Sequence, residues 1–257
     1  VSGVSRWADL RRFTAARVAL GRAGNGLPTA AHLDFQEAHA RARDAVWSAL
    51  DTAALAAALE PLGLGTRVVA SQAPDRRTYL LRPDLGRRLR AEDRAALAAG
   101  PEPGSLAIVV ADGLCASGVQ SGAPALLGAL VPMLRAAGWT IAPVTLATGA
   151  RVALGDEVGE ALGAAAVVVI LGERPGLGAL DSVGIYLTWA PRRGRSDAER
   201  NCISNVRPGG LGVAEAARKT AWLLDAARKA GLTGVALKDE EPAALPGAAP
   251  PLLSRGP

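Results

Sequence analysis

The chain has 257 residues, 49% of them apolar and 21% charged, with a formal charge of +5, a globular balance sufficient for one large domain or two smaller ones. The two histidines and two cysteines lack the short paired spacings of a four-ligand structural zinc, two cysteines exclude a disulfide scaffold, and two isolated thiols suit a reducing compartment. Any Ser-His-Asp arrangement has only His32 and His39 to draw on.

In chain order, Phe13, Ala16, Arg17 and Leu20 recur at helical spacing before Gly21 and Gly24 break the pattern. A second helix is expected from about Ala31 to Leu59, with Leu33, Ala40, Val46, Leu50 and Ala53 as core positions. Asp75 opens a short segment through Leu81; Pro83 interrupts it, and Leu85 to Ala99 reads as a charged helix. Gly100-Pro101-Glu102-Pro103-Gly104 is strong punctuation, and the rhythm changes after it. Leu106 to Ala111 is a continuous apolar run, expected of a strand buried on both faces. The helix after it aligns Val119, Ala123, Leu126, Leu127, Leu130 and Leu134 on one face. A strand at Thr140 to Leu146 follows, then a helix with Leu154, Val158 and Leu162 four apart. Strands at Ala165 to Leu171 and Val183 to Trp189 precede a long helix from Val213 to Ala230. The expected fold is α/β: a helical N-terminal region, residues 1–100, then a Rossmann-like domain with a mostly parallel sheet, residues 101–240. Residues 241–257 are Pro/Ala/Gly-rich and read as a mobile tail.

The basic excess lies in the first hundred residues, where 15 Arg and no Lys face 10 acids. These Arg alternate with Asp and Glu and lack interleaved aromatics, which fits a protein-docking face and not a nucleic-acid surface. The longest uncharged run, Gly113 to Leu134, contains Pro124, Pro132, Ser117 and Gln120. It reads as a buried amphipathic helix and not a membrane span. Val1 to Arg12 holds no apolar core, so no secretory signal is expected there.

Open parallel sheets bind ligands beyond the carboxyl ends of their strands. Three stretches meet that rule. Asp112 to Ser117 follows the first strand of the parallel domain, and its backbone N–H groups are placed to meet a phosphate or an amide, or else to form an ordinary Asp-capped turn. Gly172-Glu173-Arg174-Pro175-Gly176 puts a carboxylate after the third strand, as a ligand acceptor or a surface turn. Asp197 to Arg207 is dense in local hydrogen-bonding side chains, as expected of a rigid loop. Cys202 within it has no histidine nearby in sequence, which favours a contact residue over a nucleophile. His32, Gln36, His39 and Arg43 line one helix face, but a His spacing of seven does not match a zinc helix. Gly63-Leu64-Gly65 lacks the rest of a dinucleotide fingerprint.

Several long motifs together resemble the ethanolamine ammonia-lyase small (light) subunit family. They include Arg12 to Gly24, Leu27-Pro28-Thr29, Asp34-Phe35-Gln36, Tyr79 to Arg88, Val110 to Leu114 and Gly149 to Gly159. Gly172 to Gly176, Asp181-Ser182, Tyr186-Leu187-Thr188, Asp197 to Arg207 and Leu237 to Glu240 continue the match in order. The resemblance implies a subunit that contributes no catalytic residue and no metal ligand, paired in a hetero-oligomer with a large TIM-barrel subunit that converts ethanolamine to acetaldehyde and ammonia. It implies adenosylcobalamin between the two, contacted by Val152, Glu173 and Cys202 of this chain. The cobalt is expected to keep its own benzimidazole base, because the chain has no Asp-x-His-x-x-Gly motif. A cytoplasmic setting is implied, with a bacterial microcompartment as a further expected location. Cys115 departs from the family pattern, which leads one to expect serine. Two other readings compete: a stand-alone Rossmann-like nucleotide-dependent enzyme using Asp112 or Cys202, and an interaction protein whose Arg-rich half is the whole function.

Overall fold

A computed structural model describes residues 6–14 and 16–241. Its centre is a six-stranded sheet of β1 (Thr66–Ala70), β2 (Leu106–Ala111), β3 (Val144–Thr148), β4 (Ala166–Gly172), β5 (Val183–Trp189) and β6 (Asn201–Val206). The spatial order is β1-β3-β2-β4-β5-β6. The first four strands in that order run parallel, while β5 is antiparallel to both of its neighbours. The chain is thus α/β with a mostly parallel sheet, as expected.

The helices are α1 (Thr29–Trp47), α2 (Thr52–Leu59), α3 (Arg76–Leu81), α4 (Ala91–Ala99), α5 (Ala116–Ala136), α6 (Leu154–Leu162) and α7 (Val213–Ala230). On one face of the sheet, α5 and α7 pack with α2 over Ile108, Val110, Val168, Ile170, Ile185 and Leu187. On the other, α4 and α6 cover Ala107, Val109, Val167 and Val169. The apolar stripe read in α5 is its buried face: Leu126, Leu127, Leu130 and Leu134 are fully buried. Each such side chain contributes about 1.5–3 kcal/mol.

Six local expectations are corrected. The charged helix expected from Leu85 to Ala99 begins only at Ala91, after a 3-10 turn at Leu85–Arg87 and a bridge that pairs Leu89 with Ser71. Arg17 to Arg22 form no helix; the Arg11 side chain donates to the carbonyls of Val18 and Ala19 instead, and no packed face offsets helix nucleation there. The helix expected from 31 to 59 is two, because Ser48 caps the end of α1 and Asp51 accepts from Ala54 N–H at 2.9 Å to start α2. Residues 66–70 are a strand and not part of a purely helical region; β1 pairs with β3 along its whole length. The strand expected at 140–146 lies later, at Val144–Thr148. Asp197 to Arg207 is a short 3-10 turn followed by the edge strand β6, not a loop. Residues 242–257, nearly all of the expected tail, lie outside the described residues.

The connection from β2 to β3 leaves to one side of β2, and the one from β3 to β4 returns past it. The switch point therefore falls between the carboxyl ends of β2 and β4. Those ends nearly touch. A Cβ on Gly113, whose φ is +55°, would lie 2.2 Å from the Gly172 carbonyl oxygen, and one on Gly172 would lie 2.2 Å from the Cys115 oxygen. Leu114 N–H donates to the Gly172 carbonyl at 2.9 Å and closes the junction. Cys115 then caps α5: its sulfur accepts from Gly118 N–H at 3.4 Å and donates to the Leu180 carbonyl at 2.8 Å. The thiol thus fills the capping role expected of serine.

Gly172→Ala is expected to cost about 4 kcal/mol or more, because the new methyl meets backbone that has no room to move. Gly128→Ala, in α5 with nothing within 4 Å, is expected to stabilise by about 0.5–1 kcal/mol. Urea unfolding of the two variants measures both; equal effects would contradict the packing described.

Candidate functional site

Of the three flagged stretches, Asp112 to Ser117 is internally consumed. The Asp112 carboxylate accepts from Gly149 N–H at 2.8 Å and Ala150 N–H at 2.9 Å, and Arg76 lies 3.4 Å away. Burial pushes this carboxyl upward, against the two backbone N–H groups and the Arg76 charge, which pull it down. Leu114 N–H is held by the Gly172 carbonyl and Cys115 N–H by the Asp112 carbonyl, which favours the capped-turn reading of this stretch over an anion cradle.

The other two stretches meet on one sheet face. Alternation along β5 sends Val183, Ile185 and Leu187 toward α5 and α7. That leaves Gly184, Tyr186 and Thr188 on the α6 side. Tyr186 sits across from Val169 of β4 and from Cys202 of β6. Gly184 and Thr188 are buried and Tyr186 is half-buried, while Cys202 and Ser204 are exposed, so the face opens toward β6. Glu173 stands at the strand ends above it. A Cβ on Gly184 would lie 3.0 Å from Glu173 Oε1 and 3.1 Å from the Tyr186 ring, so glycine keeps this part of the face flat.

Glu173 is anchored by one donor. Asn205 N–H lies 3.2 Å from each of its carboxylate oxygens. Asn205 has φ +59°, a left-handed conformation that asparagine tolerates better than most residues. Its side-chain oxygen accepts from Arg207 Nε at 2.7 Å, and its carbonyl accepts from Leu211 N–H at 2.9 Å. A carboxylate has about four acceptor positions, so Glu173 retains capacity for a ligand's N–H or O–H groups.

Val152 lies in the turn before α6, half-buried, with its carbonyl accepting from Gly155 N–H at 3.0 Å. A Cβ on Gly155 would come within 2.2 Å of Val169, so the head of α6 packs directly on β4. Val169 is the cross-strand neighbour of Tyr186, so the turn holding Val152 lies on the same side of the sheet, three residues before Gly155. The structure thus gathers Glu173 and Cys202 around Tyr186, with Val152 in the turn before α6.

Sequence reasoning missed two members of this arrangement. Tyr186 lies in a matched motif, Tyr186-Leu187-Thr188, but the resemblance gives it no site role; its pairing with Cys202 of β6 is what selects it. The second is the buried pair of Arg200 with Asp156, which ties the start of β6 to α6. Burial raises the Asp156 carboxyl, and Arg200 acts in the opposite sense. Asp197 also contacts Arg200, at 2.8 Å.

The Cys202 thiol is pushed up by burial first and by the Glu173 charge, while contact with the Tyr186 hydroxyl pulls it down. Tyr186 is itself raised by burial and by Cys202. Both groups are protonated at neutral pH, which suits a contact surface and not a nucleophile. His32 and His39 are exposed on α1, and among the described residues no group of three or more His, Cys, Asp or Glu is arranged to hold a metal. No helix of the described residues is long and apolar enough to cross a membrane.

Fold and site together define a doubly wound α/β protein with an open, polar-rimmed sheet face at its strand ends. Residues 4–238 match the family model described as ethanolamine ammonia-lyase light chain (EutC). The chain belongs to that family. It is 55% identical over 247 residues to the ethanolamine ammonia-lyase small subunit of Azotobacter vinelandii, covering 94% of this chain and 92% of that one. The protein of the same name from Xanthomonas campestris pv. campestris is 54% identical over 238 residues, covering 91% and 88%. That from Rhodopseudomonas palustris is 52% identical over 233 residues, covering 90% and 89%.

Alkylation requires the thiolate, so a raised thiol leaves less of it at a given pH. The rate of Cys202 alkylation by iodoacetamide is expected to rise at higher pH than for free cysteine. Tyr186→Phe should move the profile higher still by removing the hydroxyl that favours the thiolate. A profile at or below that of free cysteine would contradict the assignment.

Proposed function

We propose that this chain holds one side of adenosylcobalamin in an ethanolamine ammonia-lyase assembly, while a large barrel subunit holds ethanolamine and the reacting atoms. In this reading Glu173, Cys202 and Val152 face the cofactor, and no residue of this chain is catalytic. The observation that carries it is Glu173, anchored by a single N–H beside an exposed thiol on a sheet face that opens toward β6.

The residues fit such a group. Cobalamin presents side-chain amides and ribose hydroxyls, which are donors, and Glu173 is an acceptor with capacity left. The flat Gly184–Tyr186–Cys202 surface offers contact area without a protruding side chain at its centre. When bound, the cofactor supplies a radical by homolysis of its cobalt–carbon bond, and the protein supplies binding and orientation. The residues of this chain orient and exclude water; they hold no proton that the reaction needs.

Docking of the large subunit to the first hundred residues is part of the same reading. In support, α1 buries none of its residues, and Phe13, Leu27, Leu33, Phe35 and Trp47 are all exposed. So many apolar side chains on one arm mark an interaction surface. Two unpaired thiols suit a reducing, cytoplasmic setting, a bacterial microcompartment included. The competing nucleotide-dependent enzyme is disfavoured by close contact of the β2 and β4 ends at the switch point, an Asp112 engaged by two backbone N–H groups and Arg76, and a protonated Cys202.

Glu173→Ala is expected to weaken adenosylcobalamin binding to the assembled complex roughly tenfold, the scale of one lost charge-assisted hydrogen bond. Visible absorbance after ultrafiltration reads this, with ethanolamine turnover assayed in parallel. Turnover should appear only when chain, large subunit and cofactor are combined; unchanged affinity, or turnover by this chain alone, would overturn the reading. The cobalt is further expected to keep its own benzimidazole. Electron paramagnetic resonance of cob(II)alamin in a complex of uniformly nitrogen-15-labelled subunits should show unaltered nitrogen splitting; a splitting that changes with the label would reveal a protein histidine.

A further inference from the structure

Residues 75–88, which include the matched motif Tyr79 to Arg88, are not part of the Glu173–Tyr186–Cys202 group, yet they are densely hydrogen-bonded near the strand ends. Asp75 caps α3 by accepting from Thr78 N–H at 2.7 Å, which places Arg76 at the first position of the helix. The Arg76 guanidinium then reaches in three directions. Nε donates to the Val46 carbonyl in the last turn of α1 at 2.7 Å, and Nη1 donates to the Gly113 carbonyl at 2.8 Å. Nη1 also lies 3.4 Å from Asp112 Oδ2. The guanidinium carbon stacks 4.7 Å from the centroid of the Tyr79 ring, and that of Arg151 lies at the same distance.

The receiving end of this network is the turn that leads into Val152. Asp112 holds the N–H groups of Gly149 and Ala150. The buried Tyr79 hydroxyl donates to the Ala150 carbonyl at 3.1 Å, and Arg151 N–H donates to the Gly86 carbonyl at 2.8 Å. Gly86 is required there, because a Cβ would stand 2.9 Å from the Tyr79 ring. Gly149, Ala150 and Arg151 are therefore each fixed by a partner that touches Arg76 or the α3 segment it opens.

We infer that Arg76 is a positioning residue: it joins the end of the α1 arm to the Gly149–Val152 turn and sets where Val152 meets the cofactor. The inference rests on the reading that Val152 borders the cofactor site. A forked, planar cation is needed, because one ammonium does not reach a carbonyl on α1, a carbonyl on the β2 loop and an aromatic face together. Nη2 of Arg76 is buried without a hydrogen-bond partner among the described residues. By linkage, whatever fixes α1 on a partner also fixes this turn, and the converse holds.

The test is a double-mutant cycle in the complex assembled with the large subunit. Cyanocobalamin is the probe, because its binding is read by absorbance and needs no turnover. Arg76→Met and Val152→Gly are each expected to weaken binding roughly tenfold, and the double variant little more than either alone, because both release the same turn. Arg76→Lys should recover only part of the loss, and it replaces Arg76→Met in the cycle if the latter fails to assemble. Glu173→Ala, away from this turn, should add fully to Arg76→Met. If Arg76 variants bind cyanocobalamin as tightly as the parent, or if their loss adds fully to that of Val152→Gly, Arg76 is not a positioning residue. If Val152→Gly and Glu173→Ala are both without effect, the cofactor-site reading fails instead, and this inference falls with it.

Discussion

The arrangement turns on one buried carboxylate. Asp112 at the end of β2 is an isolated charge in an apolar sheet, a position that is costly unless every acceptor site is met. It is met by two backbone N–H groups from the turn after β3 and by Arg76 from α3. That demand locks together three segments far apart in sequence. The glycine pair beside it, Gly113 and Gly172, lets the ends of β2 and β4 approach to backbone contact. The crevice that a nucleotide occupies in many doubly wound folds is consequently filled by the chain itself.

With the switch point closed, binding surface has to come from elsewhere, and the reversal of β5 supplies it. Two antiparallel pairings extend the sheet past the layer of α4 and α6. The opposite face of β5 and β6 stays covered by α7 and carries the apolar residues. The other face opens at the exposed Cys202 and Ser204 beside the half-buried Tyr186, with Glu173 at its upper edge. Asp156 and Arg200 tie the entry of β6 to α6, the helix that follows the turn holding Val152.

The interior of this fold was legible because interior elements bury continuous apolar runs or a full helical stripe. β2, β4, β5, α5, α6 and α7 follow that logic closely. Both edge strands escaped for one physical reason: an edge strand buries one side only. In β1 only Val69 is buried, between the exposed Val68 and the half-buried Ala70. In β6 just Ile203 and Val206 are, amid Asn, Cys and Ser that read as a polar loop. Glu173 and Cys202 were legible through motif resemblance, whereas their convergence around Tyr186 depends on cross-strand register, which no local spacing encodes. The arm before α1 failed as a helix because its apolar residues, Phe13 among them, stay exposed among the described residues.

A protein with few reactive side chains is well suited to presenting a surface, and the central claim is that the β5–β6 face is that surface. Cys202 is its built-in reporter, exposed where Cys115 is buried. The decisive measurement is iodoacetamide labelling of Cys202 in the assembled two-subunit complex, with and without adenosylcobalamin, quantified by mass spectrometry of its peptide. The account predicts that labelling falls in proportion to bound cofactor while Cys115 stays unlabelled throughout. Equal labelling of Cys202 in the free and cofactor-saturated complexes would contradict it.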